Sequence, residues 1–259
     1  MATERDLLAA RIFFRAVFPV IRVLLEDDPS MKKKFADVDA TVQFAAKNGD
    51  EMLGAYLVFD SGDFSVGQGI AEEADITFSF SSVEKMNSML SGGAVLPKIK
   101  GITKFGLLVK VLSLLMGLKI MMPDANPKKY EKRRIKVKMS FYMVSTALSQ
   151  YNKGGDPEMV KWTEKQPDRI YQITVEGEDD ISVYLRIKAG KTKAGRGVYT
   201  RRRPFVHMKF SSVDGAMAVL MKECEFVPAV EKGYVSIDGS PEYAANLNDF
   251  MQRIQGLVS

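Results

Sequence analysis

Apolar residues recur at spacings of three and four along the start of the chain. Leu7, Leu8, Ile12, Phe13, Val17, Val20, Ile21, Leu24 and Leu25 form one series, which predicts helix over residues 3–26. Pro19 lies inside it, so two helices or one kinked helix are expected, ending at Asp28-Pro29-Ser30. Runs at Thr41–Ala46, Gly54–Asp60, Phe64–Gly69 and Ile76–Phe80 then predict strands, with a hairpin turn at Asp60-Ser61-Gly62-Asp63. A short helix follows over Ser81–Leu90, with Ser81 as its cap and Glu84 completing a capping box. A strand near Lys98–Gly101 and an almost wholly apolar helix, Phe105–Met122, close this half, and 123–127 read as a linker. The second half repeats the order. Helix is predicted over Ile135–Tyr151, and strands over Ile170–Val175, Ile181–Ile187, Lys193–Val198 and Val206–Phe210. A helix Val213–Lys222 capped by Ser211 with Asp214 as the weaker box partner, a strand Tyr234–Ile237 and a helix Pro241–Leu257 follow. Each half thus reads as helices, a four-strand meander, helix, strand, helix. Meander strands so closely spaced are expected to be antiparallel, with helices over one face, an α+β arrangement.

The two halves also share residues. Tyr56, Leu57, Gly62, Gly67 and Gly69 reappear as Tyr184, Leu185, Gly190, Gly195 and Gly197, all at an offset of 128. Phe80-Ser81-Ser82-Val83-Glu84 reappears as Phe210-Ser211-Ser212-Val213-Asp214 at 130, and Gly101 as Gly239 at 138. A period near half the chain exceeds the roughly 20–50 residues of solenoid repeats. It predicts two copies of one domain, residues 1–124 and 125–259.

Composition narrows the chemistry. Apolar content of 46% and charge of 27% are ordinary for a globular protein. Residues 1–125 carry 14 basic and 16 acidic side chains, whereas residues 126–259 carry 23 and 16, so the second half is the basic one. The single cysteine, Cys224, excludes an intrachain disulfide, and the single histidine, His207, excludes a zinc site built on two histidines. Acidic Glu4 and Asp6 at the start do not fit a secretory signal, and a cytoplasmic protein is expected.

Particular residues resemble a known family. Val42-Gln43-Phe44 opens the first sheet and Tyr56-Leu57-Val58-Phe59 continues it. Gly67-Gln68-Gly69 leads to Ala74-Asp75-Ile76-Thr77-Phe78-Ser79-Phe80, Ser82-Val83-Glu84-Lys85-Met86 starts a helix, and Lys98-Ile99-Lys100-Gly101 is the late strand. This order, with an Asp before the fourth strand and a serine-then-acidic helix start, resembles the sterol-carrier-protein-2 family of lipid-binding domains, present twice. The second copy departs from the pattern: Phe205 stands where Asp75 stands, Arg201-Arg202-Arg203 replaces Glu72-Glu73, and the loop 221–233 is longer. The resemblance implies a five-stranded, mainly antiparallel sheet in each copy, helices over one face, an apolar tunnel between them for an acyl chain or sterol, and no catalytic residues. The residues expected to line the first tunnel are Phe44, Phe78, Phe80, Met86, Leu90, Phe105, Leu108, Leu112 and Met116.

The remaining features are weaker. The apolar helix 105–122 is interrupted by Lys110 and Lys119, against the roughly 20 apolar residues of a membrane span. Wall of a tunnel, contact between domains and membrane-touching lid stay open for it. Its polar counterpart in the second copy, with Glu242, Asn246, Asn248, Asp249, Gln252 and Arg253, points to the first copy as the more apolar. Methionines suit an adaptable pocket as well as an ordinary core. The basic run Lys128–Lys138 reads as a solvated helix start that, with Arg201-Arg202-Arg203, offers an anionic membrane a peripheral contact. No nucleic-acid motif accompanies it, so nucleic acid is not an expected partner. Gly67-Gln68-Gly69 and Gly195-Arg196-Gly197 lack the continuation of a phosphate loop. Cys224 between Glu223 and Glu225 lacks an activating partner, and Glu72-Glu73 and Asp179-Asp180 are neighbours whose side chains diverge on a strand. No cofactor and no metal are expected. The reading is a lipid-binding or lipid-transfer protein that is not an enzyme. The alternative is an interaction or dimerisation module, or an accessory subunit of a lipid-metabolising enzyme, with collapsed tunnels.

Overall fold

The computed structural model describes residues 1–258, the side chain of Phe226 excepted. The chain forms two compact units, one centred on Met1–Lys119 and the other on Ile120–Gly256. Each is an α+β unit built on a five-stranded mixed sheet.

In the first unit α1 (Glu4–Ile12) passes through a π turn (Phe13–Val17) and a 3-10 turn (Phe18–Val20) into α2 (Ile21–Asp27). The Pro19 nitrogen has no hydrogen to donate, and the helix changes pitch around it without breaking. α3 (Pro29–Phe35) follows. Strands β1 (Asp39–Asn48), β2 (Glu51–Asp60), β3 (Asp63–Gln68) and β4 (Ile76–Phe80) come next, then α4 (Val83–Leu90), β5 (Lys98–Lys100) and α5 (Phe105–Leu118). The second unit runs α6 (Tyr130–Lys153), α7 (Pro157–Glu164), β6 (Arg169–Val175), β7 (Val183–Lys188), β8 (Lys191–Arg196), β9 (Val206–Phe210), α8 (Val213–Leu220), α9 (Phe226–Glu231), β10 (Val235–Gly239) and α10 (Pro241–Val258).

Three of these helices were not expected. α3 and α7 both begin at Asp-Pro. Asp28 accepts from the Ser30 and Met31 amides and Asp156 from the Met159 amide, with Pro29 and Pro157 at the first turn. These pairs are themselves 128 apart. α9 lies in the longer loop of the second copy. The caps of α4 and α8 also shift by one residue. Ser82 accepts from the Lys85 amide and Ser212 from the Gly215 amide, so Ser81 and Ser211 do not cap, and Glu84 completes no box.

The four-strand meander is corrected. The strand orders are β3-β2-β1-β4-β5 and β8-β7-β6-β9-β10, with β4 parallel to β1 and β9 parallel to β6. The other pairings are antiparallel. After β3 the chain crosses the outer face instead of turning back. Gly69 N–H donates to Gly54 O, Ala71 N–H to Oε1 of buried Gln43, and Asp75 N–H to Thr41 O. The second copy repeats this: Gly197 N–H donates to Ser182 O, Tyr199 N–H to Oε1 of buried Gln172, and Phe205 N–H to Ile170 O. A buried side-chain amide on the central strand thus satisfies each crossover segment. The repeated Tyr and Gly have a partner role as well. Tyr56 lies opposite Gly67 and Tyr184 opposite Gly195, each ring covering the space a glycine side chain leaves empty.

The first core lies between the inner sheet face and the N-terminal helices. Rings run through it in series, Phe14 to Phe18 at 5.7 Å, Phe18 to Phe44 at 5.0 Å, and Phe44 stacked on Phe78 at 5.0 Å. The second core includes polar groups: Thr163 Oγ1 donates to Asn152 Oδ1 at 2.6 Å, and Ser149 Oγ to Thr192 Oγ1 at 3.2 Å, all buried.

The basic run is solvated at its start, where Lys128 and Lys129 are exposed, but not beyond it. Lys136 is 2% exposed and its ammonium donates to Met122 O at 2.8 Å and Ala125 O at 2.6 Å, so it binds the carbonyls of the preceding segment. Arg133 pairs with Asp214, Arg134 with Glu178 and Asp180, and Lys138 with Asp180.

Candidate functional site

Apart from Lys110 and Ser113, α5 is apolar, so burial separates its two apolar faces. Leu108, Val111 and Leu114 are buried; Leu107, Leu115 and Leu118 are half-buried. On the other side Phe105 is 69% exposed, Val109 49%, Leu112 43% and Met116 66%, at spacings of four, three and four. They form one stripe along the helix. Leu96 and Ile102, before the helix, are exposed too.

The nine residues expected to line a tunnel therefore separate. Phe44, Phe78, Phe80, Met86 and Leu108 lie in the core and Leu90 is half-buried, whereas Phe105, Leu112 and Met116 face solvent. The expectation that all nine share one interior wall is corrected for these three. The Phe18 ring lies against Phe44, with Phe14 behind it. Two open clefts, of about 410 and 240 Å³, lie in the second unit.

Few groups hold α5 down. The Lys104 ammonium pairs with Asp75, which also accepts from the Thr41 amide at 2.7 Å. Lys110 pairs with Asp37 at 3.1 Å, and Lys34 Nζ donates to Ser113 Oγ at 2.6 Å. Hydrogen bonds from Lys110 and Lys104 keep the Asp37 and Asp75 carboxyls below the usual range, so both latches are charged at neutral pH. Gly117 brings the helix close to Leu24 and Met31. α10, its counterpart, is seated differently. Ala244, Leu247, Phe250 and Ile254 are buried, and Phe250 packs on Trp162 at 5.3 Å. Where the first unit has the Asp75–Lys104 pair, the second has Phe205 against Tyr243 at 5.2 Å, with the Arg169 guanidinium over both rings. The departure from Asp to Phe thus exchanges an ionic latch for an aromatic one.

The other candidates settle individually. Cys224 is buried as a free thiol. Among the described residues no cluster of metal-ligating side chains occurs, and no helix is long and apolar enough to cross a membrane. His207 is half-buried, with Nε2 at 2.9 Å from Thr174 Oγ1. Burial, and then the Lys209 ammonium, lower its pKa from 6.5 against a smaller opposing effect of Asp238. Its folded pKa lies below its unfolded one, so its stabilising effect is complete above pH 6.5 and is lost as pH falls through the folded pKa. NMR titration of this lone imidazole is expected to give a midpoint below 6.5. His207→Gln should flatten the pH dependence of unfolding on the acid side; a midpoint at or above 6.5 would contradict the burial argument.

A scan of family models gives no match, and a search of curated proteins gives none either. Among solved structures the chain is similar to the sec-alkylsulfatase Pisa1 from Pseudomonas sp. and to a double mutant of the same enzyme. Identity is 13% to both. The matches cover 63% and 64% of this chain, with TM-scores of 0.26 and 0.28. This chain spans 31% of the length of those chains. The expectation that the chain is not an enzyme is corrected on this finding, since the solved chains it matches are those of an enzyme. At these TM-scores the likeness carries no argument for an activity, a substrate or the role of any residue.

Proposed function

We propose that the chain is a tandem pair of sterol-carrier-protein-2-like domains, and that its first copy binds or transfers a lipid: a fatty acyl chain, an acyl thioester or a sterol-like molecule. The observation that carries this reading is the solvent-facing stripe Phe105, Val109, Leu112 and Met116 on a helix whose inner face is apolar as well. Fully burying one such side chain contributes about 1.5–3 kcal/mol, so leaving four in water favours whatever apolar surface covers them. α5, held by two lysine–carboxylate pairs, acts as the movable wall of the tunnel and turns its outward stripe onto the lipid chain it covers. The more polar second core and the well-seated α10 support the first copy as the carrier. An anionic membrane is the peripheral surface that would supply the lipid, with Lys119 at the end of the helix. The reading keeps the protein in the cytoplasm, where Cys224 stays a thiol.

The test is native mass spectrometry of the whole protein, mass spectrometry of an organic extract, and titration with a fluorescent fatty acid. Binding is expected, and Leu112→Glu with Met116→Glu should weaken it at least about tenfold, by removing two apolar contacts, with an unchanged circular dichroism spectrum. The same stripe also favours a second reading, an interaction or dimerisation module or accessory subunit. An empty protein that takes up no fatty acid, but dimerises in sedimentation and loses the dimer with Leu112→Glu, would replace the first reading by the second.

A further inference from the structure

Duplication supplies an internal control for every surface of this protein: what the fold requires should appear in both copies. One cleft fails that comparison. In the second unit the outer face of β7 and β8, with the crossover segment that follows, encloses a cleft of about 240 Å³ lined by Tyr184, Arg186, Lys193, Arg196, Tyr199 and Arg201, among others. Four of these six are cations. At the offset of 128 the first unit has Tyr56, Val58, Ser65, Gln68, Ala71 and Glu73, with no cation and one carboxylate. The alignment is structural as well as sequential, because Ala71 N–H and Tyr199 N–H donate to the equivalent glutamines, Gln43 and Gln172. The scaffold therefore does not need these charges.

Their arrangement is organised. Asp168 accepts from Arg186 Nε at 2.8 Å and from Nη2 at 2.6 Å, and also pairs with Arg202. This fork ties the Arg186 guanidinium on β7 to the residue that precedes β6, which Arg202 of the crossover segment also reaches. Arg196 lies over the Tyr142 ring at 4.3 Å. Lys193 and Arg201 have no carboxylate partner among the described residues and are exposed. Asp168 balances one charge of the five contributed by Arg186, Lys193, Arg196, Arg201 and Arg202. Tyr184 and Tyr199, edge to face at 5.0 Å, form the remaining wall. Convergent cations that repel one another are stabilised by an anion placed between them, and guanidinium forks match phosphate oxygens. The volume falls below the roughly 300–1,000 Å³ of a drug-sized pocket, so it suits an anionic group and not a whole large ligand.

We propose that this cleft binds the phosphate moiety of a phosphorylated ligand, whether a soluble small molecule or a lipid headgroup. The site belongs to the second unit and does not depend on lipid binding by the first, so either can fail alone. The test is isothermal titration calorimetry of the full chain with inorganic pyrophosphate, alongside co-sedimentation with phosphatidylcholine vesicles with and without phosphatidylinositol bisphosphate. Saturable one-site binding of pyrophosphate that weakens with added salt is expected. Lys193→Gln with Arg201→Gln should weaken it at least about tenfold, as two charge-assisted hydrogen bonds are lost. Lys153→Gln with Lys232→Gln removes the same charge elsewhere and should change it little. Capture by the phosphoinositide vesicles, lost in the first pair of substitutions, identifies a headgroup; pyrophosphate binding without capture identifies a soluble ligand. The proposal is overturned if pyrophosphate does not saturate, or if both double substitutions weaken binding alike.

Discussion

Gly101→Ala and Gly239→Ala are each expected to destabilise the protein by roughly 3–5 kcal/mol, strained backbone and steric overlap together. Both glycines have positive φ, +83° and +108°. A methyl group at Gly101 would overlap the backbone oxygen of Asp75, and one at Gly239 that of Phe205. Those oxygens belong to the last residue before β4 and β9, the strands that pair with β5 and β10. Neither can withdraw without disturbing the sheet, unlike the tip of a flexible side chain. Gly69→Ala and Gly197→Ala are the controls. Their φ values, +92° and +81°, are equally left-handed, but a methyl group there meets nothing within 4 Å. Backbone conformation alone should then cost about 1–2 kcal/mol. Urea unfolding of the four variants separates the contributions. If Gly101→Ala costs no more than Gly69→Ala, close approach of the backbone is not what selects glycine at 101.

Those glycines illustrate what could be read from the chain. Gly101 and Gly239 were visible as a repeated pair, as were Tyr56 with Gly67 and Tyr184 with Gly195, because each position has a local steric requirement that both copies must meet. Ile76–Phe80 and Val206–Phe210 were legible to the residue, since alternation marks a strand whatever its neighbours. Alternation is silent on partners. The parallel pairing of β1 with β4 depends on the outer-face crossover and on the Gln43 amide that receives it, and a glutamine in a strand carries no such label in sequence. The solvated reading of the basic run fails at Lys136 for a related reason: charge predicts solvent, and the two carbonyls that receive its ammonium lie 14 and 11 residues earlier. The candidate site was half legible. A helix this apolar announces itself, but its polar residues, Lys110 and Ser113, pair with Asp37 and Lys34 and so do not mark the side that faces out, and Leu108 and Leu112 looked alike. The cleft around Arg186 was overlooked because its cations come from β7, β8 and the crossover segment, and only the Arg201-Arg202-Arg203 part was contiguous.

Phe44→Ala is expected to cost about 3–5 kcal/mol, as for a large aromatic side chain deleted from a close-packed core. Phe44 is fully buried on β1, stacks on Phe78 and meets Phe18 at the same 5.0 Å centroid distance. Its removal leaves a space that Phe18 and Phe78 cannot both fill, since one is held by the helix running into Pro19 and the other by β4. The value bears on function because Phe44 is among the residues a lipid tunnel was expected to use. A side chain lining a path kept open for a ligand has few partners to lose, so its truncation costs little stability and enlarges the path. A core side chain behaves oppositely, with a large loss of stability and no gain in uptake. Urea unfolding and fluorescent fatty acid titration on the same Phe44→Ala sample distinguish the two. A large loss of stability without tighter uptake places the lipid beneath α5, away from the ring series. A loss below about 1 kcal/mol with tighter uptake would move the lipid path inward, between the N-terminal helices and the sheet.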